Sequence, residues 1–320
     1  MTTSNEVPVE IESEIFQQAL KATCKSALIK ATRRIFFNHL SRPTEERGFF
    51  HVDLMYGSGS GVLIKHDYTF YLLTANHVIA NATSYSFENE SPFWIASQAN
   101  RFPQELEAFL MPAQIIHIGE AIPDRGHQFD SKDLILIELF FPNVKYMPDK
   151  FIDLDTDPEI LATREFFFEG QLLLAAGYPF EKNSFEFFEE TTNGATHSTL
   201  VNRLIVDGIC GFEEGDPLIS RTLMSGTFPD LSGASGGIVT NIPMPGDAIK
   251  MLGMLVSAGA NIVRFIPSYV IAEAFSNKAL ARVTAVDPAF KGIPPLEIRK
   301  IFFDLAEHNS NADSLNPDAI

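Results

Sequence analysis

The spacing of hydrophobic and polar positions changes along the chain. Over 10–40, apolar residues such as Phe16, Leu20 and Cys24 recur at intervals typical of an amphipathic helix. The same period returns at 268–281 and 295–307, so the sequence predicts two more helices near the C-terminal end. The polar segment 309–320 predicts a frayed tail.

Between the helical segments, the chain alternates with a period of two or forms short apolar runs bounded by turn residues. The predicted strands are 50–54, 62–65, 68–75, 92–98, 113–118, 133–140, 171–177, 184–190, 198–210, 219–225, 236–241, 250–257 and 261–266. Many short strands without alternating helices favour an all-β barrel or sandwich over a parallel α/β sheet. The glycine-rich stretch 57–61 predicts a loop, because a strand follows it where a phosphate-binding loop needs a helix.

Composition narrows the classes of partner. The chain has 320 residues with 45% hydrophobic and 20% charged residues, which is ordinary for a globular protein and long enough for two lobes. Its 24 basic and 41 acidic residues give a net charge of −17, and such a surface repels nucleic acid.

Cysteine content and hydropathy point to a compartment. Cys24 and Cys210 are the only cysteines, so no disulfide framework is expected, and a reducing environment fits. The N-terminal stretch lacks the pattern of a signal peptide, and no apolar run is long enough to span a membrane. We therefore expect a cytoplasmic protein without membrane contact.

Candidate chemistry concentrates at 230–239, where the sequence reads Asp-Leu-Ser-Gly-Ala-Ser-Gly-Gly-Ile-Val. Glycines around Ser235 permit a left-handed backbone and let peptide N–H groups approach a substrate, although a plain turn between strands has the same composition. A serine nucleophile also needs a base, and that base needs a carboxylate to orient it. Of eight histidines, only His77 lies just past an apolar strand, in Thr-Ala-Asn-His-Val.

Two aspartates are candidates for that carboxylate. Asp133 opens a strand of uninterrupted aliphatic residues, where a carboxylate would be desolvated unless it had a partner such as an imidazole N–H. Asp130 lies in a more polar setting and ranks second. Metal catalysis has no support, because no H-x-x-x-H or C-x-x-C spacing occurs.

The segments around His77, Asp133 and Ser235, in that order, resemble those of the trypsin-like (chymotrypsin-fold) serine peptidases over about residues 48–270. The resemblance implies two six-stranded antiparallel β-barrels with N- and C-terminal flanking helices, in an intracellular, bacterial-type member. It implies a serine endopeptidase in which Ser235 attacks, His77 is the base, Asp133 orients His77, and the N–H groups of Gly233 and Ser235 form the oxyanion hole. The mechanism that the resemblance implies requires no cofactor and no metal.

The resemblance also divides the chain. The expected parts are an N-terminal helical extension at 1–47, a first barrel at 48–150, a linker at 151–168, a second barrel at 169–270 and C-terminal helices with a tail at 271–320. The expected partners are the polypeptide substrate and a regulatory protein. The regulatory protein would bind at the flanking helices.

The resemblance further implies substrate contacts on the segment 253–259. By this match Ser257 supports Asp133, while Ala258 and Gly259 line the path of an extended peptide; a plain core strand is the alternative. The base of the specificity pocket is expected near 226–230, where Asp230 either attracts a basic side chain or serves as a surface or capping residue.

Three departures from the digestive members and two rival interpretations remain, and the missing disulfides are the first departure. Ala234 stands where the digestive members carry an aspartate, so activation by N-terminal cleavage is not expected, and Ile238 stands where a proline is frequent. One rival is a non-catalytic or latent scaffold that binds peptides. The other is an α/β-hydrolase esterase, since 233–237 also fits G-x-S-x-G, but the residues that follow favour a strand over the helix that this fold requires.

Overall fold

A computed structural model describes residues 13–38, 55–80, 93–101, 108–123, 130–142, 145, 150–183, 185–187, 197–213, 216–224, 231–244, 246–259 and 262–286. The predicted strand 50–54, the helix 295–307, the tail 309–320 and the pocket segment 226–230 lie outside the described residues.

The first β unit is a curled sheet of nine strands within the described residues. Its strands are β1 Thr32–Asn38, β2 Met55–His66, β3 Thr69–Ala75, β4 Phe93–Ala96, β5 Phe109–Leu110, β6 Pro112–His117, β7 Leu134–Leu139, β8 Ile152–Asp153 and, far along the chain, Arg282–Ala285. Along the sheet the order runs from Arg282–Ala285 through β6, β7, β3, β2, β1 and β4 to β5, while β8 pairs in parallel with β2.

The second β unit is a closed barrel of six antiparallel strands. Its strands are β9 Leu172–Gly177, β12 Leu204–Glu213, β13 Asp216–Met224, β14 Ile238–Asn241, β15 Met251–Gly259 and β16 Ile262–Pro267. They close in the order β12, β13, β16, β15, β14, β9, and a separate ribbon pairs β10 Phe185–Phe187 with β11 His197–Thr199. The C-terminal strand Arg282–Ala285 of the first unit is therefore β17.

The helices are α1 Ser13–Cys24, α2 Ala27–Lys30, α3 Asn76–Ala80 and α4 Ser268–Ser276, with single 3₁₀ turns elsewhere, such as Ser131–Asp133 and Phe180–Lys182. None of the helices in the described ranges is long and apolar enough to cross a membrane. The predicted all-β class with flanking helices is confirmed. The first unit differs in detail, because its sheet has more than six strands and includes one parallel pair.

A single apolar core continues from the first unit into the second. Leu72 and Leu136 of the first sheet belong to the same buried cluster as Ile238 and Met254 of the barrel. The barrel interior has its own smaller cluster, which includes Leu173 and Phe265. The two β units are thus packed against each other over an apolar junction, which stabilises their relative position.

The predicted helix over 10–40 is wrong at its C-terminal end, because Thr32–Asn38 is strand β1. Arg33 and Arg34 look like exposed polar positions of a helix, yet both are fully buried. The Arg33 Nε donates to Ser97 O at 3.0 Å, and the Arg34 Nη2 donates to Asn183 O at 2.6 Å. Burial lowers the pKa of Arg34 to about 9, so it stays cationic at neutral pH.

Two further predictions need correction. The glycine-rich stretch 57–61 is not a loop but the middle of β2, hydrogen-bonded to β1 on one side and followed by the pairing with β3. The C-terminal region contains a strand as well as a helix, since β17 follows α4 and pairs with β6. There Arg282 binds Glu120 through Nη2 at 2.7 Å.

Candidate active site

His77 and Asp133 are brought together by the pairing of β3 with β7. Ala75, at the end of β3, lies opposite Leu134, at the start of β7. His77 follows in the first turn of α3, and Asp133 ends the 3₁₀ turn that precedes β7. Neighbouring strand ends therefore place the imidazole beside the carboxylate.

The carboxylate of Asp133 holds His77 at two points. Its Oδ1 accepts the backbone N–H of His77 at 2.8 Å, and its Oδ1 and Oδ2 lie 2.9 and 2.8 Å from the His77 Nδ1. Because an ionised carboxylate only accepts, Nδ1 carries the proton and Nε2 has its lone pair available. In the described part of the chain, Nε2 has no hydrogen-bond partner.

Asp130 has a different place. Its side chain caps the turn 131–133 by accepting the N–H of Lys132 at 3.0 Å, and its carbonyl accepts the N–H of Asp133. Gly119 packs against the same turn, where an added Cβ would lie 1.7 Å from Ser131 O. These two residues position Asp133, a role that the local sequence of neither residue reveals.

Ser235 lies on a tight loop that leads into β14. The N–H of Ala234 binds Leu231 O at 2.9 Å, and the N–H of Gly237 binds Ala234 O at 2.9 Å. Gly233 and Gly236 have φ values of 90° and 85°, the left-handed region that favours glycine. Because an antiparallel strand follows Ser235 instead of a helix, the α/β-hydrolase interpretation is wrong.

The loop is pinned between the barrel and the first sheet. On the barrel side, Gly236 N–H donates to Leu255 O at 2.7 Å. On the other side, the N–H of Ser60 in β2 donates to Ser235 O at 3.1 Å, and Ser60 O accepts the Thr74 hydroxyl at 2.7 Å. Thr74 lies on the strand that ends just before His77, so the Ser235 loop is linked through Ser60 and Thr74 to the strand that leads into His77.

The hydroxyl of Ser235 donates to Val256 O at 3.0 Å. Among the contacts of the described residues there is no hydrogen bond between Ser235 and His77. The structure thus brings His77 and Asp133 into direct contact, whereas the hydroxyl of Ser235 is bound to Val256 O of β15.

The N–H groups predicted for the oxyanion hole have no acceptor within the described ranges. Their peptide groups are nevertheless fixed, since Ser232 O accepts the N–H of Phe180 at 2.7 Å and Ala234 O accepts that of Gly237. The described peptide bonds are all trans, so each anchored carbonyl directs the following N–H, of Gly233 or Ser235, to the opposite side.

An apolar pocket opens beside Ser235. Its lining includes Ala175, Val206, Leu231, Leu255 and Val263, together with Ser257. The described part of the lining contains no charged residue.

Ser257 does not contact Asp133 in the structure. It is exposed at the pocket, next to a β-bulge between Leu255 and Ser257, and its hydroxyl has no hydrogen bond within the described ranges. Ala258 and Gly259 continue β15 opposite Val263 and Ile262. The predicted support of Asp133 by Ser257 is therefore absent from this arrangement.

A surface cluster of His66, Asp67 and Asp155 is the group of possible metal ligands found among the described residues. Asp67 already pairs with Lys278 at 3.0 Å, and His66 Nδ1 lies 3.0 Å from Asp155 Oδ1. These contacts account for the cluster as ordinary surface ion pairs.

Among known proteins, the chain is similar to solved structures but to no family model and no curated sequence. One similar solved structure is a thermostable serine protease from an extremophilic microorganism, at 12% sequence identity and a TM-score of 0.44. The match covers 78% of this chain and 97% of that one.

Proposed function

We propose that the protein is a serine endopeptidase that hydrolyses peptide bonds through an acyl-enzyme. The observation that carries the proposal is the two-point hold of Asp133 on His77. The Ser235 loop adds to it, since the loop is linked through Ser60 and Thr74 to the strand before His77, and its Gly233 and Ser235 N–H groups have no acceptor within the described ranges. An aspartate that fixes the imidazole tautomer, as the half-buried Asp133 does, is what a histidine base needs. Protein groups alone supply this chemistry, so no cofactor is required.

The reaction begins when the Ser235 hydroxyl turns from Val256 O towards His77 Nε2. As its oxygen attacks the substrate carbonyl carbon, the proton moves to Nε2, and Asp133 stabilises the imidazolium. The N–H groups of Gly233 and Ser235 bind the oxyanion. His77 then protonates the leaving amine, and water releases the acyl group by the same steps in reverse.

A covalent probe tests this assignment. We expect a fluorophosphonate to label the wild-type protein and to leave both Ser235→Ala and His77→Ala unlabelled, because only an activated serine reacts at a useful rate. Ser276→Ala, on the surface of α4, serves as the matched serine control and should label like wild type. Equal labelling of wild type and Ser235→Ala would contradict the proposal.

A latent or non-catalytic peptide-binding scaffold is the second candidate. The observation that favours it is the Ser235 hydroxyl bound to Val256 O instead of His77. Failure of the wild type to label, while it still binds peptides, would favour this candidate over the enzyme. A cytoplasmic location, which fits the two free thiols of Cys24 and Cys210, and a regulatory protein partner remain part of the proposal.

The apolar pocket predicts which polypeptides are cleaved. We expect chromogenic peptides with Val, Leu or Met before the cut to exceed matched peptides with Lys or Asp by about 100-fold or more in kcat/KM, since a buried unpaired charge is costly. The panel varies only that residue. A preference for Lys would contradict the prediction and would favour a pocket whose base carries Asp230, a residue outside the described ranges.

A further inference from the structure

The loop that carries Ser235 is anchored through four consecutive carbonyl groups, those of residues 232–235. Ser232 O accepts from Phe180 N–H at 2.7 Å, and Gly233 O accepts from the Ser60 hydroxyl at 2.9 Å. Ala234 O and Ser235 O accept from the N–H groups of Gly237 and Ser60. All four carbonyls are therefore bound, while the N–H groups of Gly233 and Ser235 remain without an acceptor within the described ranges.

Ser60 supplies two of these anchors from the first β unit. It is fully buried in the middle of β2. Its hydroxyl accepts the N–H of Tyr178, just after β9 of the barrel, at 2.8 Å, and donates a hydrogen bond to Gly233 O at 2.9 Å. The hydrogen bond to the loop therefore exists only when the two β units are docked.

Tyr178 makes that docking specific. Its side chain is fully buried, and its hydroxyl lies 3.1 Å from Thr32 O of β1 and also contacts Ala99 O. Burial raises the pKa of this hydroxyl, so it stays protonated as a donor. The same residue thus binds the first unit through its side chain and orients the Ser60 hydroxyl through its backbone.

Phe180 supplies the most direct anchor. Its N–H holds the peptide between Ser232 and Gly233, whose other end is the N–H that the oxyanion hole needs. Gly233 has a φ of 90°, and glycine backbones turn easily, so without an anchor this peptide is free to turn its N–H away.

We propose that the Ser60 hydroxyl and the Phe180 amide are positioning groups that hold the oxyanion loop in its donating orientation, and that Ser60 makes this orientation depend on docking of the two β units. The inference rests on the proposed peptidase function. It adds that activity depends on groups that bind the carbonyl oxygens of the loop and do not contact the substrate.

The first test compares Ser60→Ala with Thr74→Val. Both changes delete a buried hydroxyl at the same junction, but only Ser60→Ala releases Gly233 O, because the Thr74 hydroxyl donates to Ser60 O. We expect Ser60→Ala to lower kcat by about 10- to 100-fold with little change in KM, below the 10²–10³-fold that loss of a whole oxyanion donor costs. Thr74→Val should keep kcat near wild type.

The second test isolates the Phe180 amide. Phe180→Pro removes the N–H, and the preceding Pro179, with φ −66° and ψ 145°, already has a backbone that a following proline accepts. Proline is tolerated at the first position of a helical turn, and the side chain of Phe180 is 47% exposed. Phe180→Ala is the matched control, since it loses the same ring but keeps the N–H.

We expect Phe180→Pro to lower kcat by about 10²-fold or more and Phe180→Ala to stay within a few-fold of wild type. Affinity for a peptide boronic acid, which imitates the tetrahedral intermediate, should fall by the same factor as kcat/KM, while melting temperatures within each pair stay similar. Equal kcat within both pairs, or losses confined to KM, would overturn the inference and leave the peptidase assignment standing. A wild-type protein without any hydrolysis would overturn both.

Discussion

Asp133→Asn is expected to lower kcat by about 10⁴-fold while the fold stays intact. The reason lies in the two contacts of the carboxylate with His77. The backbone N–H of His77 points at Oδ1, so the amide oxygen of an asparagine must occupy that place. Its NH₂ group then takes the position of Oδ2, 2.8 Å from Nδ1, and donates to it.

The consequence is the wrong tautomer. With Nδ1 as an acceptor, neutral His77 carries its proton on Nε2 and cannot accept one from Ser235. The measurement is kcat on an apolar peptide substrate, together with the ¹⁵N chemical shifts of His77, which report the tautomer directly. The two readouts should change together in the variant.

Asp130→Asn is the matched control for this substitution. Asp130 lies on the same turn and caps it by accepting the N–H of Lys132, a task that asparagine performs as well as aspartate. We expect its kcat to stay within about twofold of wild type. If Asp133→Asn retained activity comparable to Asp130→Asn, the role of Asp133 as the orienting group would be wrong.

The residues proposed for the chemistry were found because their signals are local. His77 follows an apolar strand, Asp133 begins one, and Ser235 lies among glycines, so short segments contain the pattern. Their contact, in contrast, depends on the pairing of β3 with β7 and on the approach of the Ser235 loop to β2.

The positioning groups escaped prediction because their partners are distant in the sequence. Ser60 binds Gly233, 173 residues along the chain, and accepts from Tyr178, 118 residues along the chain. Nothing near Ser60 distinguishes it from a serine in a polar loop, which is how its glycine-rich surroundings were interpreted. The same is true of the amide of Phe180, since any residue except proline has one.

The helix predicted over 10–40 is wrong at 32–38 for a related physical reason. Hydrophobic periodicity treats arginine as a polar residue that faces water, and this holds when no acceptors are available inside the protein. Here the guanidinium groups of Arg33 and Arg34 bind backbone carbonyls of Ser97 and Asn183, which the chain brings in from remote segments. The burial of these side chains is set by tertiary contacts, and a window of local sequence does not contain them.

Gly236→Ala is expected to abolish measurable hydrolysis and to lower the free energy of unfolding by about 2–5 kcal/mol. Two effects add at this position. The φ of 85° is strained for an alanine, and a new Cβ would lie 2.0 Å from Ser60 O and 2.4 Å from the Thr74 hydroxyl oxygen. The loop must therefore move away from β2, and the bond from Ser60 N–H to Ser235 O is lost with it.

The variant Gly170→Ala distinguishes the steric clash expected at Gly236 from the strain of a positive φ, because Gly170 has only the second. Gly170 has a nearly equal φ of 82°, but an added Cβ there would meet nothing within 4 Å. We expect it to cost about 1–2 kcal/mol and to leave kcat unchanged, because its strain is local and remote from the Ser235 loop. Chemical denaturation and kcat measured on both variants decide the matter. Similar losses in the two would mean that left-handed strain alone explains the effect, and that the close approach of Gly236 to β2 does not hold the nucleophile in place.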